Sequence, residues 1–116
     1  YVYGYRIVEE LMGASYDEFH RALVAEGIPA LWAGGAKPLD KSPIFAEERT
    51  YGQSRYPFVD EQGNRRIDYA SMHLPVIERE GPRTGCFLIR STDTEEDARD
   101  IGTAIRKVAL HYAARN

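Results

Sequence analysis

The clearest structural signal in the sequence lies at residues 15–32, which read SYDEFHRALVAEGIPALW. Ser15 and Glu18 have the spacing of a capping box, in which each side chain bonds the backbone N–H of the other residue. The apolar residues that follow recur at helical spacing and predict one buried helix face: Tyr16, Phe19, Leu23 and Val24. Gly27 is placed to end this helix. Residues 28–32 then predict a short strand, and the proline in its second position favours the edge of a sheet.

Two further strands and a second long helix are predicted on either side of that stretch. Residues 5–11 are rich in aromatic and β-branched side chains and predict the first strand. Residues 85–90 contain a continuous apolar run that is typical of a central strand. Thr94 is a helix N-cap before three acidic residues, which the helix dipole favours. An apolar stripe follows: Ala98, Ile101, Ile105, Val108 and Tyr112. The predicted fold class is α/β (an α+β sandwich), a small three-stranded sheet covered by helices.

A long irregular loop is predicted from about residue 33 to residue 69, where glycines and prolines interrupt every pattern. Residues 58–67 favour a small hairpin, and a short helix opens at Leu74-Pro75. A loop of this length in a compact domain commonly has a functional or partner-contacting role. Gly34-Gly35 lacks the residues of a phosphate-binding loop and indicates a flexible backbone that lets the loop pass close to a substrate or to the neighbouring domain. The whole chain, 1–116, is interpreted as one domain.

Composition excludes several classes of protein. The chain has 116 residues, 43% hydrophobic and 28% charged, which is typical of an ordinary globular domain. Its formal net charge of −3 gives no reason to expect nucleic acid or an anionic membrane as a partner. No apolar stretch approaches the ~20 residues that span a bilayer, so a cytoplasmic location is the default expectation. The single cysteine, Cys86, lies in an apolar run and is interpreted as a small buried hydrophobe.

The start of the chain favours a piece of a longer protein. Tyr1 is the first residue, and the sequence is strand-like from there onward, whereas natural N-termini more often begin with polar, poorly ordered residues. Removal of an expression tag would give the same appearance.

Four stretches of the chain carry a joint resemblance to one enzyme family. Residues 16–29 are similar to a helix that ends in the pattern L-x-x-x-G-I, and residues 36–45 resemble a loop with the pattern P-L-x-x-x-P-x-F. Residues 74–79 are like a P-x-A-E-R helix, and residues 93–108 are close to a closing pattern D-x-x-D-x-x-x-I-x-x-A-I-x-K-V. In this order and spacing they resemble the small domain of the DegT/DnrJ/StrS sugar aminotransferases. The chain departs from the family at two positions. Asp40 stands where tyrosine is frequent, and Leu74 stands where a cysteine or an aromatic residue usually precedes the proline of the third stretch. Both differences leave the identity of the substrate open.

The resemblance implies an architecture and a role. The chain would be the C-terminal domain of a fold-type-I aminotransferase that depends on pyridoxal phosphate and is a homodimer when intact. Such an enzyme would aminate a keto-sugar or keto-cyclitol with glutamate or glutamine as amino donor. This lobe would form one wall of the active-site cleft and pack on the large cofactor-binding domain of the same chain. The family's Schiff-base lysine belongs to that large domain, so the catalytic residues are expected upstream. The chain alone is then expected to be inactive and to bind no cofactor.

Four residues are the candidates for substrate binding: Trp32, Lys37, Tyr51 and His73. An aromatic face suits a sugar ring or a base, and a lysine suits a diphosphate or a carboxylate. His73 lies where the loop meets a helix, so it could face the active site. The alternative for the first two is structural, with Trp32 packed in a domain interface and Lys37 solvated. His20 and His111 are expected at the surface or the core boundary, and no spacing of histidines and carboxylates predicts a metal site.

Two other functions remain open at this level. The chain could be a free-standing α/β module that binds a small molecule or regulates another protein. It could also be an interaction domain whose long loop binds a protein partner. The reading frame upstream of Tyr1 separates these from the aminotransferase hypothesis, since only that hypothesis requires a large preceding domain with a lysine.

Overall fold

A computed structural model describes residues 1–32 and 34–115 of the chain. They divide into two compact units: residues 1–36 with 79–116, called the sheet unit below, and residues 37–78, called the loop unit. The first residue of the predicted loop, Ala33, lies outside the described residues. In chain order the regular elements are β1 (Val2–Arg6), α1 (Glu9–Met12), α2 (Tyr16–Ala25), β2 (Ala30–Leu31), α3 (Pro43–Ala46), α4 (Pro75–Glu80), β3 (Thr84–Leu88) and α5 (Glu95–Ala113). Short 3₁₀ helices precede α3 and β3, at Leu39–Lys41 and Gly81–Arg83.

The sheet unit contains a three-stranded antiparallel sheet in the order β1-β3-β2. The predicted mixture of strands and helices is therefore confirmed, as are the central place of β3 and the edge place of β2. In the ladder Tyr3 lies opposite Phe87 and Tyr5 opposite Gly85, so these four residues share one face of the sheet. The rings of Tyr5 and Phe87 stack there with centroids 4.7 Å apart. Cys86, on the opposite face, is fully buried, which confirms its interpretation as a core residue; burial raises the pKa of its thiol.

The first strand was predicted at the wrong place. Pairing with β3 stops at Arg6, after which the backbone N–H of Ile7 makes one more bond to the Arg83 carbonyl at 3.0 Å. The chain then forms a single helical turn, α1, although its sequence had been interpreted as strand up to residue 11. Two glutamates open that turn, where the positive end of a helix favours them. Gly13, with φ of 71°, closes it in the left-handed conformation.

Helices α2 and α5 begin directly after the capping residues that the sequence predicts. The box of Ser15 and Glu18 is present at the start of α2, and a second box joins Thr94 and Asp97 at the start of α5. Gly27, with φ of 85°, follows the end of α2 as predicted. No helix among the described residues has both the length and the apolar character to cross a membrane.

The core of the sheet unit lies between the sheet and these two helices. Its buried members are Ile7, Tyr16, Phe19, Leu23, Ile28, Phe87 and Val108. Two expectations for α2 were wrong: Val24 is 49% exposed, and His20 is buried with 6% of its surface exposed. The ring of His20 stacks on Tyr16, one turn earlier, with centroids 5.8 Å apart. The buried face of α2 is therefore centred on residues 16, 19, 20 and 23 and includes an imidazole.

The loop unit is held by two small clusters. The rings of Phe45, Phe58 and Tyr69 lie within 5.1–6.0 Å of one another. Glu48, whose side chain is only 3% exposed, is paired with Arg55 and with Arg65, whose Nε lies 2.6 Å from the carboxylate. An isolated antiparallel bridge between residues 59 and 65 supports the predicted small hairpin. Residues 37–69 of the predicted irregular segment contain no long helix or strand, and these aromatic and ionic contacts hold them in place instead.

Candidate functional site

Three of the four candidate residues lie in the loop unit and are solvent-exposed. Lys37 is exposed, and Tyr51 is fully exposed. His73 has a side chain that is 75% exposed, with its Nδ1 2.6 Å from a carboxylate oxygen of Glu78. The other oxygen of Glu78 accepts the backbone N–H of Leu74 at 2.9 Å, so this glutamate orients the start of α4. Among the described residues no hydrogen bond, ion pair or ring contact joins any two of Lys37, Tyr51 and His73.

The fourth candidate, Trp32, lies in the sheet unit directly after β2 and has an unusual backbone. Its φ is 64°, a left-handed conformation that is a genuine outlier for a bulky residue. Holding such a residue there costs about 1–3 kcal/mol, so the surrounding structure must determine it. The Trp32 carbonyl accepts two hydrogen bonds, from the Tyr16 hydroxyl at 3.0 Å and from the Gly35 backbone N–H at 2.8 Å. These two hydrogen bonds help to hold the Trp32 backbone in its left-handed conformation.

Residues 34–36 are fixed as well. The backbone N–H of Gly34 donates to Asp17 Oδ1 at 3.1 Å. Gly35, with φ of 76°, passes so close to the 3₁₀ helix that a Cβ atom there would overlap the Gly81 carbonyl and lie 2.7 Å from Pro82 Cα. The next N–H, of Ala36, bonds the carbonyls of Gly81 and Thr84 at 2.8 and 3.0 Å. The close backbone approach of Gly35 is thus to the 3₁₀ helix of its own unit. We call residues 32 and 34–36 the Trp32 turn.

The hydroxyl of Tyr16 is a reliable donor to this turn. Tyr16 is among the most buried residues of the chain, and burial raises the pKa of its hydroxyl far above the usual value. The group therefore stays protonated at any ordinary pH and can always donate. The Tyr16 hydroxyl also explains why glycine occupies position 85, because a Cβ atom there would collide with this hydroxyl and lie 2.8 Å from the Tyr5 hydroxyl. One tyrosine thus joins the core, the central strand and the Trp32 turn.

The indole of Trp32 is 48% exposed, so the turn presents a large aromatic side chain to solvent from a fixed backbone. Sequence reasoning identified Trp32 but missed Tyr16 and Asp17 as the residues that position it. Tyr16 was interpreted only as a core residue, and Asp17 only as a favourable charge at a helix start. No local pattern could have revealed their role, because both contact a segment at least 16 residues away.

An apolar groove of about 640 Å³ lies between β1 and α5. Its lining includes Tyr3, Leu11, Phe87, Ile105 and Leu110. Three of these side chains are largely exposed: Tyr3 at 63%, Leu11 at 78% and Leu110 at 58%. A contiguous apolar surface of this kind commonly marks a contact with another protein segment.

The three lysines of the chain are exposed, and two of them are paired with carboxylates. Lys41 Nζ lies 3.2 Å from the buried carboxylate of Asp40 and also donates to the Met72 carbonyl. Lys107 Nζ lies 2.7 Å from Glu26. Lys37 is solvated. In the part of the chain that the structure describes, no group of three or more histidine, cysteine or acidic residues could hold a metal ion.

Comparison with known proteins gives no significant match to a family model, a curated protein or a solved structure. Function must therefore be argued from the geometry above together with the sequence resemblance.

Proposed function

We propose that this chain is the C-terminal lobe of a pyridoxal-phosphate-dependent aminotransferase that aminates a keto-sugar or keto-cyclitol. The lobe forms one wall of the active-site cleft, and the large domain of the same protein holds the cofactor and its lysine. None of the lysines at positions 37, 41 and 107 takes part in the covalent chemistry. The contribution of this lobe is to bind the acceptor and to exclude water.

The observation that carries the proposal is the agreement between the resembling stretches and the folded elements. Residues 16–29 form a capped helix, a glycine stop and the approach to an edge strand. Residues 74–79 enter α4 at its proline, and residues 93–108 contain the capping box and most of α5. Three of the four stretches that resemble the aminotransferase lobe thus coincide with a helix, in the order that the resemblance requires, and the fourth, residues 36–45, covers the 3₁₀ helix Leu39–Lys41 and most of α3.

Two surface features support a role inside a larger enzyme. The groove between β1 and α5 offers an apolar surface on which another domain can pack, as the second domain of an aminotransferase would. The Trp32 turn offers a fixed aromatic side chain, which suits the wall of a sugar-binding cleft. The second feature would serve a free-standing binding module equally well, so that alternative keeps one observation in its favour.

The cofactor separates the two functions. We expect the 116-residue chain, mixed with pyridoxal phosphate, to show no aldimine absorbance after dialysis, and the intact protein to show it. An aldimine on the isolated chain that maps to one lysine would contradict the placement of the catalytic lysine upstream. An intact protein that carries no cofactor-binding lysine outside these residues would favour the free-standing module.

A further inference from the structure

The loop unit contains an apolar pocket that the proposed function does not use. Its volume is about 470 Å³, within the range of ~300–1,000 Å³ that is typical of sites for small molecules. One charged residue, Arg66, lines it together with six apolar or aromatic residues: Ile44, Phe45, Pro57, Phe58, Ile67 and Tyr69. Such sites commonly combine a mostly hydrophobic lining with a few polar groups that fix the orientation of the ligand.

Two short segments build most of the walls of this pocket. Helix α3 supplies Ile44 and Phe45, and the hairpin of residues 58–66 supplies Phe58 and Arg66. The Arg66 backbone N–H donates to the Phe58 carbonyl at 3.0 Å, so these two wall residues are held side by side. The ring centroid of Phe45 lies 6.0 Å from that of Phe58 and 5.1 Å from that of Tyr69. These ring contacts join α3 to the hairpin and make the pocket part of a packed cluster.

Two aliphatic side chains of the pocket remain largely uncovered. Ile44 is 57% exposed and Ile67 is 45% exposed. An occupant of the pocket would remove part of this surface from water, which favours binding in proportion to the apolar area that is covered. The lining therefore selects a ligand with an apolar body.

Arg66 gives the pocket a positive charge that no carboxylate pairs with. Among the described residues its guanidinium has no ion pair and no side-chain hydrogen bond, whereas the arginines at positions 49, 55 and 65 of the same unit are each paired with a glutamate. The carboxylate of Asp60, on the same hairpin, accepts its hydrogen bonds from Gln62 and Asn64 instead. A guanidinium can bind a carboxylate through two parallel hydrogen bonds. Charge complementarity therefore favours an anionic occupant.

We propose that this pocket binds a small planar aromatic carboxylate. The ring of the ligand lies among Phe45, Phe58 and Tyr69, where edge-to-face ring contacts add to the burial of apolar surface, and its carboxylate lies against Arg66. A polyhydroxylated compound does not suit the same pocket, because hydroxyl groups buried against apolar side chains lose their hydrogen bonds to water. The inference therefore goes beyond the proposed aminotransferase function and does not depend on it.

The probes are 2-naphthoate and its neutral counterpart of similar shape, 2-naphthamide. We expect the 116-residue chain to bind 2-naphthoate saturably in isothermal titration calorimetry, and 2-naphthamide roughly tenfold more weakly. Added salt should weaken the binding of the anion and leave that of the amide unchanged. In nitrogen-15 NMR spectra, 2-naphthoate should shift the backbone resonances of residues 44–45 and 66–69. The resonances of β1 and α5, which border the other apolar groove, should stay in place.

Three variants separate the charge from the apolar walls. Arg66→Gln keeps a long polar side chain but removes the charge, and should weaken 2-naphthoate roughly tenfold without changing the binding of 2-naphthamide. Arg49→Gln is the matched control, since this exposed arginine is paired with Glu47 and does not line the pocket; it should have no effect. Ile67→Ser removes an apolar wall and should weaken both probes roughly fivefold.

Four results would overturn the assignment. These are no saturable binding of 2-naphthoate, equal affinity for 2-naphthamide, the same loss in Arg49→Gln as in Arg66→Gln, or resonance shifts confined to β1 and α5. Circular dichroism of each variant separates lost binding from lost folding, and the comparison of the two arginine variants decides the matter if Ile67→Ser fails to fold.

Discussion

Replacement of Gly35 by alanine tests whether the Trp32 turn is held as tightly as its contacts indicate. Alanine in a left-handed conformation costs about 1–2 kcal/mol. The added methyl group would also overlap Gly81 and Pro82, and both obstacles are backbone atoms that no side-chain rotation can move away. The segment must therefore shift, which weakens the bonds of the Gly35 and Ala36 N–H groups, each worth about 1 kcal/mol. Together these terms predict that the free energy of unfolding falls by about 3–4 kcal/mol, a large share of an ordinary domain's stability.

Gly34 provides a matched control for that change. Its φ of 78° is nearly the same as the 76° of Gly35, but no atom lies within 4 Å of the position that its Cβ would take. Gly34→Ala should therefore cost only the conformational term, about 1–2 kcal/mol. Urea unfolding, followed by tryptophan fluorescence and by circular dichroism, measures both variants. A difference between them below about 0.5 kcal/mol, within the error of the extrapolation, would refute the claim that close packing fixes this turn.

Three further predictions follow from the capping box, the groove and the loop. Thr94→Ala should lower the free energy of unfolding at neutral pH by about 1 kcal/mol in urea titrations. Hydrogen bonds from Thr94 lower the pKa of Asp97 below its ordinary 3.8. The part of the capping contribution that comes from the Asp97 carboxylate is therefore complete above that value and is lost as the pH falls through the lowered pKa, whereas the bond from the Asp97 backbone N–H to the Thr94 hydroxyl does not titrate. The deficit of Thr94→Ala should thus be smaller at pH 2 than at pH 7, and a deficit of the same size at both would contradict this. The isolated chain should self-associate through the groove, and Leu110→Glu should shift its sedimentation toward that of the monomer. A chain that is monomeric at every concentration would contradict the expectation that the groove is buried against another copy. In the intact enzyme, Lys37→Ala should raise the KM for the keto-sugar and leave the amino-donor half-reaction unchanged; equal loss in both half-reactions would indicate a misfolded lobe, and no loss would leave Lys37 a solvated residue.

Helices α2 and α5 and the order of the strands could be predicted because their signals are local. A capping box needs only residues three apart, and Ser15 and Thr94 each provide one. The glycine after α2 and the apolar run of β3 are likewise visible in a window of a few residues. These signals sufficed for the positions of α2 and α5 and for the central strand.

The end of β1, the burial of His20 and the backbone of Trp32 could not be predicted, because distant contacts determine them. The strand ends opposite Thr84, where its partner β3 begins, and not where its own β-branched residues end. His20 lies on the same side of α2 as Tyr16, on whose ring it stacks, and the packing of α2 against α5 and β2 determines which side of the helix is buried. In the candidate site, the exposed Trp32 was identified from its chemistry, but its conformation depends on the Tyr16 hydroxyl, which the sequence places 16 residues away.

The contact of the Tyr16 hydroxyl with Gly85 has a consequence for how this protein can evolve. A larger residue at position 85 would meet the side chains of both Tyr16 and Tyr5, so it can be accepted only if both rings shift or are replaced. A shift or loss of the Tyr16 hydroxyl releases the Trp32 carbonyl and weakens the turn. Selection for the turn would therefore keep both positions unchanged together, and in related sequences glycine at 85 should accompany tyrosine at 16. Lineages that have abandoned the turn are those in which the two positions should vary.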